Sequence, residues 1–245
     1  MGVMIKTHLA LAGVLASAVA IPALASGAIS EIGPVGGETA MPDPSCPSKP
    51  CRAISHTTGY QVKVGDTRET HVVKEDGRLV AWTIKLSNPD KDQIAFFDKN
   101  LGGEASAQIT VFRPGNKLYA RILAQGDEQK LEPYFGQTVQ FALEKSIPVK
   151  KGNVIGLSVP TWAPALAINQ PGTSSYRTTQ KKGGCDDFVT QTAQTGVNNI
   201  ARFFCLYRTA RITYTATIVS DPQPNAGSST GTTGKSGATK DRTKR

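Results

Sequence analysis

The chain has 245 residues, of which 39% are hydrophobic, and carries a formal net charge of +9. This length and apolar content suffice for one domain of ordinary size, and no segment after residue 25 is apolar enough to span a bilayer. The basic balance favours anionic partners such as phosphate-rich wall polymers or acidic glycans, and it also promotes solubility by itself. We therefore expect no membrane-spanning protein.

Residues 1–25 have the features of a secretory signal peptide. A weakly basic start precedes an apolar run over Leu9–Ile21, Pro22 ends that run, and Ala23-Leu24-Ala25 supplies a small-x-small cleavage pattern before Ser26. The run is shorter than the about 18 to 20 apolar residues that a membrane span needs. No cysteine for lipid attachment follows the cleavage point. These features predict a secreted or extracellular protein, and a location at the cell wall is one form of that prediction.

Residues 26–53 are rich in proline and glycine and predict an irregular lead-in to the domain. The four cysteines are even in number, which in an oxidising compartment predicts two disulfides. Three pairings are possible, and local pairing, Cys46–Cys51 with Cys185–Cys205, is the simplest. Chain entropy predicts about 3 kcal/mol from the longer closure and about 2 kcal/mol from the shorter.

Residues 54–219 show a hydrophobic period of two, which is typical of strands that are buried on one face. Val80, Trp82 and Ile84 lie on one face of the first such segment. Two further alternating segments flank the turn 114–116, which predicts a hairpin. No window has a convincing helical stripe. The pattern predicts an all-β, two-sheet antiparallel sandwich that is jelly-roll-like, with an immunoglobulin-like order as the alternative.

Residues 220–245 form a Gly/Ser/Thr-rich segment with scattered cations. Such a composition has too little apolar content to offset the entropy of ordering, so we expect a disordered basic tail.

Three segments resemble a family of exported actinobacterial β-sandwich proteins of uncharacterised function. They are Gly77–Ile84 with a central tryptophan, Ala107–Arg113, and Phe141–Leu157 with the run from Ile147 to Leu157. This chain has Asn153 where the family usually has an acidic residue. The resemblance covers about half of the chain and implies the fold and the compartment, and it transfers no active site.

No catalytic motif stands out, so the chain is more consistent with a non-enzyme and we expect no cofactor. The nearest match to G-x-S-x-G runs from Gly156 to Pro160, with proline in place of the last glycine. His56 and His71 have no motif around them, and we expect both at the surface. Dispersed carboxylates could still serve a carbohydrate-active or other hydrolytic enzyme, which we keep as the alternative.

The segment Asn88–Asp92 resembles the opening of a calcium-binding loop, with Asp90 and Asp92 as weak candidate ligands. Gln93 replaces the turn glycine, and Lys99 stands where a bidentate glutamate belongs. We therefore predict no metal site.

Aromatic residues in loop-like segments are the candidate ligand contacts, because sugar rings stack on exposed aromatic faces. These candidates are Trp162, Tyr176 and Tyr134, with core packing as the alternative for Trp162. The leading hypothesis is an exported, non-catalytic β-sandwich that binds or decorates the cell envelope through a glycan or anionic wall polymer, without a nucleic-acid partner. A structural or protein-interaction subunit is the second alternative, and the oligomeric state is left open.

Overall fold

Antiparallel strands dominate the computed structural model, which describes residues 27–33, 41–180, 182–186 and 195–222. The predicted signal peptide and residues 223–245 of the predicted tail lie outside these ranges. No helix in the described part of the chain combines the length and apolar character of a transmembrane segment.

The strands in chain order are β1 (Ile29–Ile32), β2 (Ile54–Val64), β3 (Thr67–Arg68), β4 (Gly77–Lys85), β5 (Ser106–Pro114), β6 (Tyr119–Gln125), β7 (Gln129–Lys130), β8 (Thr138–Val149), β9 (Val154–Ala163), β10 (Leu166–Ala167), β11 (Ser175–Thr178), β12 (Ile200–Arg202), β13 (Cys205–Arg208), β14 (Arg211–Ile212) and β15 (Tyr214–Ser220). One α-helix, α1 (Lys91–Asn100), follows β4. Short 3-10 turns cover Asn116–Leu118 and Glu132–Tyr134.

Two sheets form the sandwich. The smaller sheet has the order β1-β15-β4-β8, and the larger one has the order β12-β6-β5-β9-β2-β11-β13, with β3 on β2 and β7 on β5. The orders β1-β15-β4-β8 and β6-β5-β9-β2 are those of a jelly roll, in which the chain passes repeatedly between two antiparallel sheets. The prediction of an all-β, jelly-roll-like sandwich is therefore confirmed. The hairpin at residues 114–116 is confirmed as well, since β5 pairs with β6.

The core lies between the two sheets and follows the period-two pattern. Trp82 of β4 and Phe141 of β8 are register partners whose ring centroids lie 4.9 Å apart, and Leu157 of β9 joins the same buried cluster from the larger sheet. In its pairing with β15, β4 carries one extra residue, Val80, between Leu79 and Ala81. Leu79 lies in the core, whereas Val80, which the alternation predicts there, is only half-buried. A bulge of this kind adds one residue and reverses the faces locally.

Two elements depart from the sequence analysis. β1 lies within the segment predicted to be an irregular lead-in, where it adds an edge strand beside β15. The helix α1 has a single buried residue, Phe97, so it produces no apolar stripe in the sequence. Its start is fixed instead by a capping box between Asp90 and Gln93.

The connection between β9 and β15 extends the larger sheet. It adds β11 next to β2 and β13 next to β11, while β10 and β14 form a separate two-stranded sheet. Both predicted disulfides are present: Cys46–Cys51 closes a loop before β2, and Cys185–Cys205 links the segment after β11 to the first residue of β13. Two disulfides are typical of proteins of an oxidising, extracellular environment.

Candidate ligand-binding cavity

A cavity of about 730 Å³ lies beside the edge strand β13, within the range of about 300 to 1,000 Å³ that is usual for small-molecule sites. The disulfide loop, α1, β10 and β13 all contribute to its wall. Aliphatic and aromatic side chains make up most of the lining, including Phe96, Phe97, Leu101, Leu166, Ile168 and Leu206. The charged lining residues are Arg52, Asp186 and Arg208.

Two tyrosines stack on one side of the cavity. Tyr176 of β11 and Tyr207 of β13 are register partners, and their rings are nearly parallel, with centroids 4.8 Å apart and an interplanar angle of 19°. Directly opposed aromatic residues on neighbouring strands stabilise the pairing by side-chain contact. The strand register therefore presents an aromatic pair to the cavity.

The two hydroxyl groups differ in their surroundings. The Tyr207 hydroxyl can donate to Oε1 of Gln180 or to the backbone carbonyl of Cys185. Only 3% of Tyr176 is exposed, but its hydroxyl is not fully buried and, within the described ranges, makes no internal hydrogen bond. The hydroxyl is therefore free to donate to a ligand in the cavity, and such a hydrogen bond adds to affinity.

Burial also governs the ionisation of the pair. Desolvation raises the pKa of Tyr207 to about 12, and it raises the pKa of Tyr176 as well. Both side chains therefore remain neutral phenols at physiological pH and can donate a hydrogen bond.

Hydrogen bonds to β10 and α1 hold the disulfide loop beside the cavity. The Ser45 amide donates to the Leu166 carbonyl at 3.0 Å, and the Ser45 hydroxyl accepts from the Arg52 amide at 2.9 Å. The Gln93 side chain of α1 donates to the Pro47 carbonyl at 2.9 Å. Arg52 is thus positioned by one residue of β10, one of α1 and the Cys46–Cys51 bridge.

The helix α1 brings two neighbouring phenylalanines to the cavity. Phe96 is 58% exposed, which is unusual for a large apolar side chain, whereas Phe97 is buried against Trp162 with ring centroids 4.8 Å apart. The two phenylalanines therefore have different roles: Phe97 anchors the helix, and Phe96 offers an open aromatic face.

Of the three aromatic residues predicted to contact a ligand, Tyr176 is the one that lines the cavity. Trp162 has no exposed surface, and its indole Nε1 donates to Oδ1 of Asp98 and to the Gly103 carbonyl, each at 2.9 Å. Trp162 therefore has the core-packing role that the sequence analysis gave as its alternative, because the ring secures α1 against the sandwich. Tyr134 is half-buried away from the cavity, edge-on to Phe141.

Asp90 and Asp92, the weak candidate metal ligands, stabilise the start of α1. The Asp90 carboxylate accepts the Gln93 amide at 2.8 Å as the N-cap of α1, and the Gln93 side chain accepts the Asp90 amide at 3.0 Å. Asp92 lies exposed in the first helical turn, where its charge opposes the helix dipole. Among the described residues, no group of three or more histidine, cysteine or acidic side chains could hold a metal ion.

The serine of the G-x-S-x-G-like segment is also structural. Ser158 is fully buried in the larger sheet, and its hydroxyl lies 2.6 Å from the hydroxyls of both Thr58 and Thr110. The expectation of a surface location for His71 is wrong. His71 is 1% exposed, and its Nε2 lies 3.2 Å from the Tyr214 carbonyl, which assigns the ring proton to Nε2.

Sequence reasoning missed most of the cavity lining. Arg52 follows Cys51 directly and Asp186 follows Cys185, so proximity to the predicted disulfides was a usable signal for both. Tyr207 could be found only from its pairing with Tyr176, which depends on strand register. Phe96 lies on α1, which could not be predicted because the helix has no periodic apolar pattern in the sequence.

Fold and site together define a disulfide-bonded jelly-roll sandwich with an aromatic-lined cavity at the edge of its larger sheet. Comparisons with protein-family models, curated proteins and solved structures find no significant match to this chain.

Proposed function

We propose that the protein is an exported, non-catalytic β-sandwich that binds a glycan of the cell envelope through this cavity. The observation that carries the proposal is that one cavity is lined by an open aromatic face, Phe96, and by the phenol of Tyr176, whose hydroxyl makes no internal hydrogen bond in the described residues. The signal-like N-terminus and the two disulfides support an extracellular location.

The chemistry of the lining suits a sugar unit. The C–H face of a pyranose ring packs on an aromatic ring, while its hydroxyls require hydrogen-bond donors and acceptors. Phe96 supplies the ring, Tyr176 and Arg52 supply donors, and Asp186 supplies an acceptor. Few polar groups in a mostly apolar pocket are the usual means of orienting a ligand.

Hydrolysis of a glycosidic bond usually requires two carboxyl groups across the scissile bond. Asp186 is the one carboxylate among the described residues that line the cavity. The cavity's own chemistry therefore favours binding over cleavage.

The aliphatic part of the lining supports a second candidate function, the binding of an acyl chain or another apolar molecule. Leu101, Leu166 and Ile168 form a continuous apolar wall that a polar sugar would not need. An apolar ligand would gain about 25 cal/mol for each Å² of surface that it buries there.

The test is retention of the full oxidised protein on purified wall polysaccharide, compared with retention on a lipid extract of the same envelope. Phe96→Ala should weaken glycan binding about tenfold, because it removes the stacking face. Its matched control is Ile200→Ala, which truncates a side chain of similar exposure, 59%, on β12.

A finer pair of variants removes a single hydroxyl. Tyr176→Phe should weaken binding about fivefold through the loss of one hydrogen bond. Tyr60→Phe, which removes a phenol packed against Phe112 and Phe203 outside the cavity, should have no effect. No retention of the unaltered protein on polysaccharide would refute the glycan proposal, and retention on lipid alone, lost in Phe96→Ala, would establish the second candidate.

A further inference from the structure

A row of cations crosses the outer end of the larger sheet. The strand register pairs Arg68 of β3 with Lys63 of β2, Lys63 with Ser175 of β11, and Ser175 with Arg208 of β13. Neighbouring strands lie about 4.8 Å apart, so the row spans about 14 Å. Arg177 lies two residues beyond Ser175 on β11 and hence on the same face.

These cations surround a groove of about 280 Å³. Lys63, Arg68, Arg177 and Arg208 all line it, together with the small residues Gly172 and Thr173. Small residues beside the cations leave room for a chain to approach the charged groups.

The groove carries a positive excess that the described residues do not neutralise. Their one ion pair to these four cations joins Lys63 Nζ to Asp66 Oδ1 at 3.1 Å, and the Asp66 side chain is 95% exposed. Lys63 and Arg68 lie directly opposite each other on paired strands, an arrangement of like charges that disfavours the pairing. An anion in the groove would relieve that repulsion.

The Arg177 guanidinium is held in a position to bind an oxyanion. Both hydrogen bonds of Arg177 within the described residues come from Nη1, to the carbonyls of Phe203 and Phe204 at 3.3 and 3.0 Å. These bonds fix the guanidinium plane and leave Nε and Nη2 available. A planar guanidinium matches a carboxylate or phosphate group with two parallel hydrogen bonds.

We propose that this groove binds the acidic groups, phosphodiester or uronate, of an anionic wall polymer. Leu206 and Arg208 line both the groove and the cavity, so one polymer can cross β13 with a sugar unit in the cavity and an acidic group in the groove. The inference rests on the proposed glycan-binding function for the identity of the polymer backbone, whereas the anion site itself is built from separate residues.

The experiment measures the affinity of the full oxidised protein for poly(glycerol phosphate), polygalacturonate and neutral dextran. The double variant Lys63→Gln/Arg68→Gln should lose about tenfold in affinity for the acidic polymer at low salt, because two charge-assisted contacts disappear. The control Lys99→Gln/Lys145→Gln has the same net charge, with its substitutions on α1 and β8, and should change affinity less than about twofold. Raising the salt should weaken binding of the unaltered protein, since exposed charges are screened.

Preference between the two acidic polymers identifies the acidic group. Equal affinity of the two double variants, or failure of both acidic polymers to bind, would overturn the groove site. The two variants test the groove and the cavity separately. If Lys63→Gln/Arg68→Gln loses affinity for the acidic polymer while Phe96→Ala binds wall polysaccharide as the unaltered protein does, the groove is supported and the cavity is refuted. If Phe96→Ala loses affinity for wall polysaccharide while the two double variants bind the acidic polymer equally, the groove is refuted and the proposed function is retained.

Discussion

The core of the sandwich and the wall of the cavity are built on different principles. Between the sheets, side chains such as Trp82 and Phe141 are placed by strand alternation and register. Around the cavity, Arg52, Phe96 and Tyr207 are placed by a disulfide loop, a capped helix and an edge strand. The deep wall of the cavity shares residues such as Phe97, Leu166 and Tyr176 with the core. Stability and binding are therefore separable at exposed lining residues such as Phe96, which lies outside the core.

The largest expected effect falls on the core. Trp82→Ala should lower the free energy of unfolding by about 3 to 5 kcal/mol, because it removes a fully buried aromatic ring and leaves a cavity. Urea unfolding followed by fluorescence and circular dichroism measures the loss. Phe96→Ala is the matched aromatic truncation at the cavity and should change stability by less than about 0.5 kcal/mol. Similar losses in both variants would abolish the distinction between the two regions.

The second effect is a pH dependence that belongs to the sandwich. Burial lowers the pKa of His71 from 6.5 to about 4, so the unfolded chain takes up a proton more readily than the folded one. The contribution of neutral His71 to the free energy of unfolding is fully present above about pH 6.5. It declines by about 3 kcal/mol in all as the pH falls towards 4.

Urea unfolding at a series of pH values between 7 and 4 measures this decline. His71→Gln keeps a polar side chain that does not titrate, so the difference in stability between the variant and the unaltered protein should shrink towards acid pH. A difference that stays constant across this interval would contradict the assignment.

The third effect concerns the two disulfides. The double variant Cys185→Ser/Cys205→Ser opens a closure of 20 residues and should cost about 3 kcal/mol in the chain-entropy model. Cys46→Ser/Cys51→Ser opens a closure of 5 residues and should cost about 2 kcal/mol. Thermal unfolding of both variants checks the order, and a larger loss from the short loop would contradict it.

The smallest effect is at the helix cap. Asp90→Ala should cost about 1 kcal/mol, because the Gln93 amide loses its acceptor. Asp90→Asn keeps an acceptor oxygen and should restore most of the stability, while Asp92→Ala removes only a charge near the helix start and should cost about 0.5 kcal/mol. Equal losses in the two alanine variants, measured by urea unfolding, would argue against the capping box.

Much of the fold was accessible from the sequence because it follows local rules. The alternation around Trp82 predicts a strand, the turn at residues 114–116 predicts the hairpin between β5 and β6, and cysteine spacing predicts both disulfides. Asn153 closes the turn after β8, since its side-chain oxygen accepts the Lys150 amide at 2.9 Å.

The cavity was accessible only in part, because its residues are brought together by long-range contacts. Tyr176 was predicted from its loop-like surroundings, but its stacking on Tyr207 depends on the pairing of β11 with β13. Trp162 has the same kind of flanking sequence and yet is fully buried, because Phe97 of α1 covers it. No local pattern distinguishes these two outcomes.

The central claim, that the cavity binds a glycan, is tested most directly by an NMR titration of the isotope-labelled protein with oligosaccharides from the purified wall polysaccharide. We expect the largest shift changes at the amides of Arg52, Phe96, Tyr176 and Tyr207, which line one cavity. They should saturate with a single dissociation constant, which Phe96→Ala should raise about tenfold. Shift changes confined to the smaller sheet, or no change at saturating oligosaccharide, would contradict the claim.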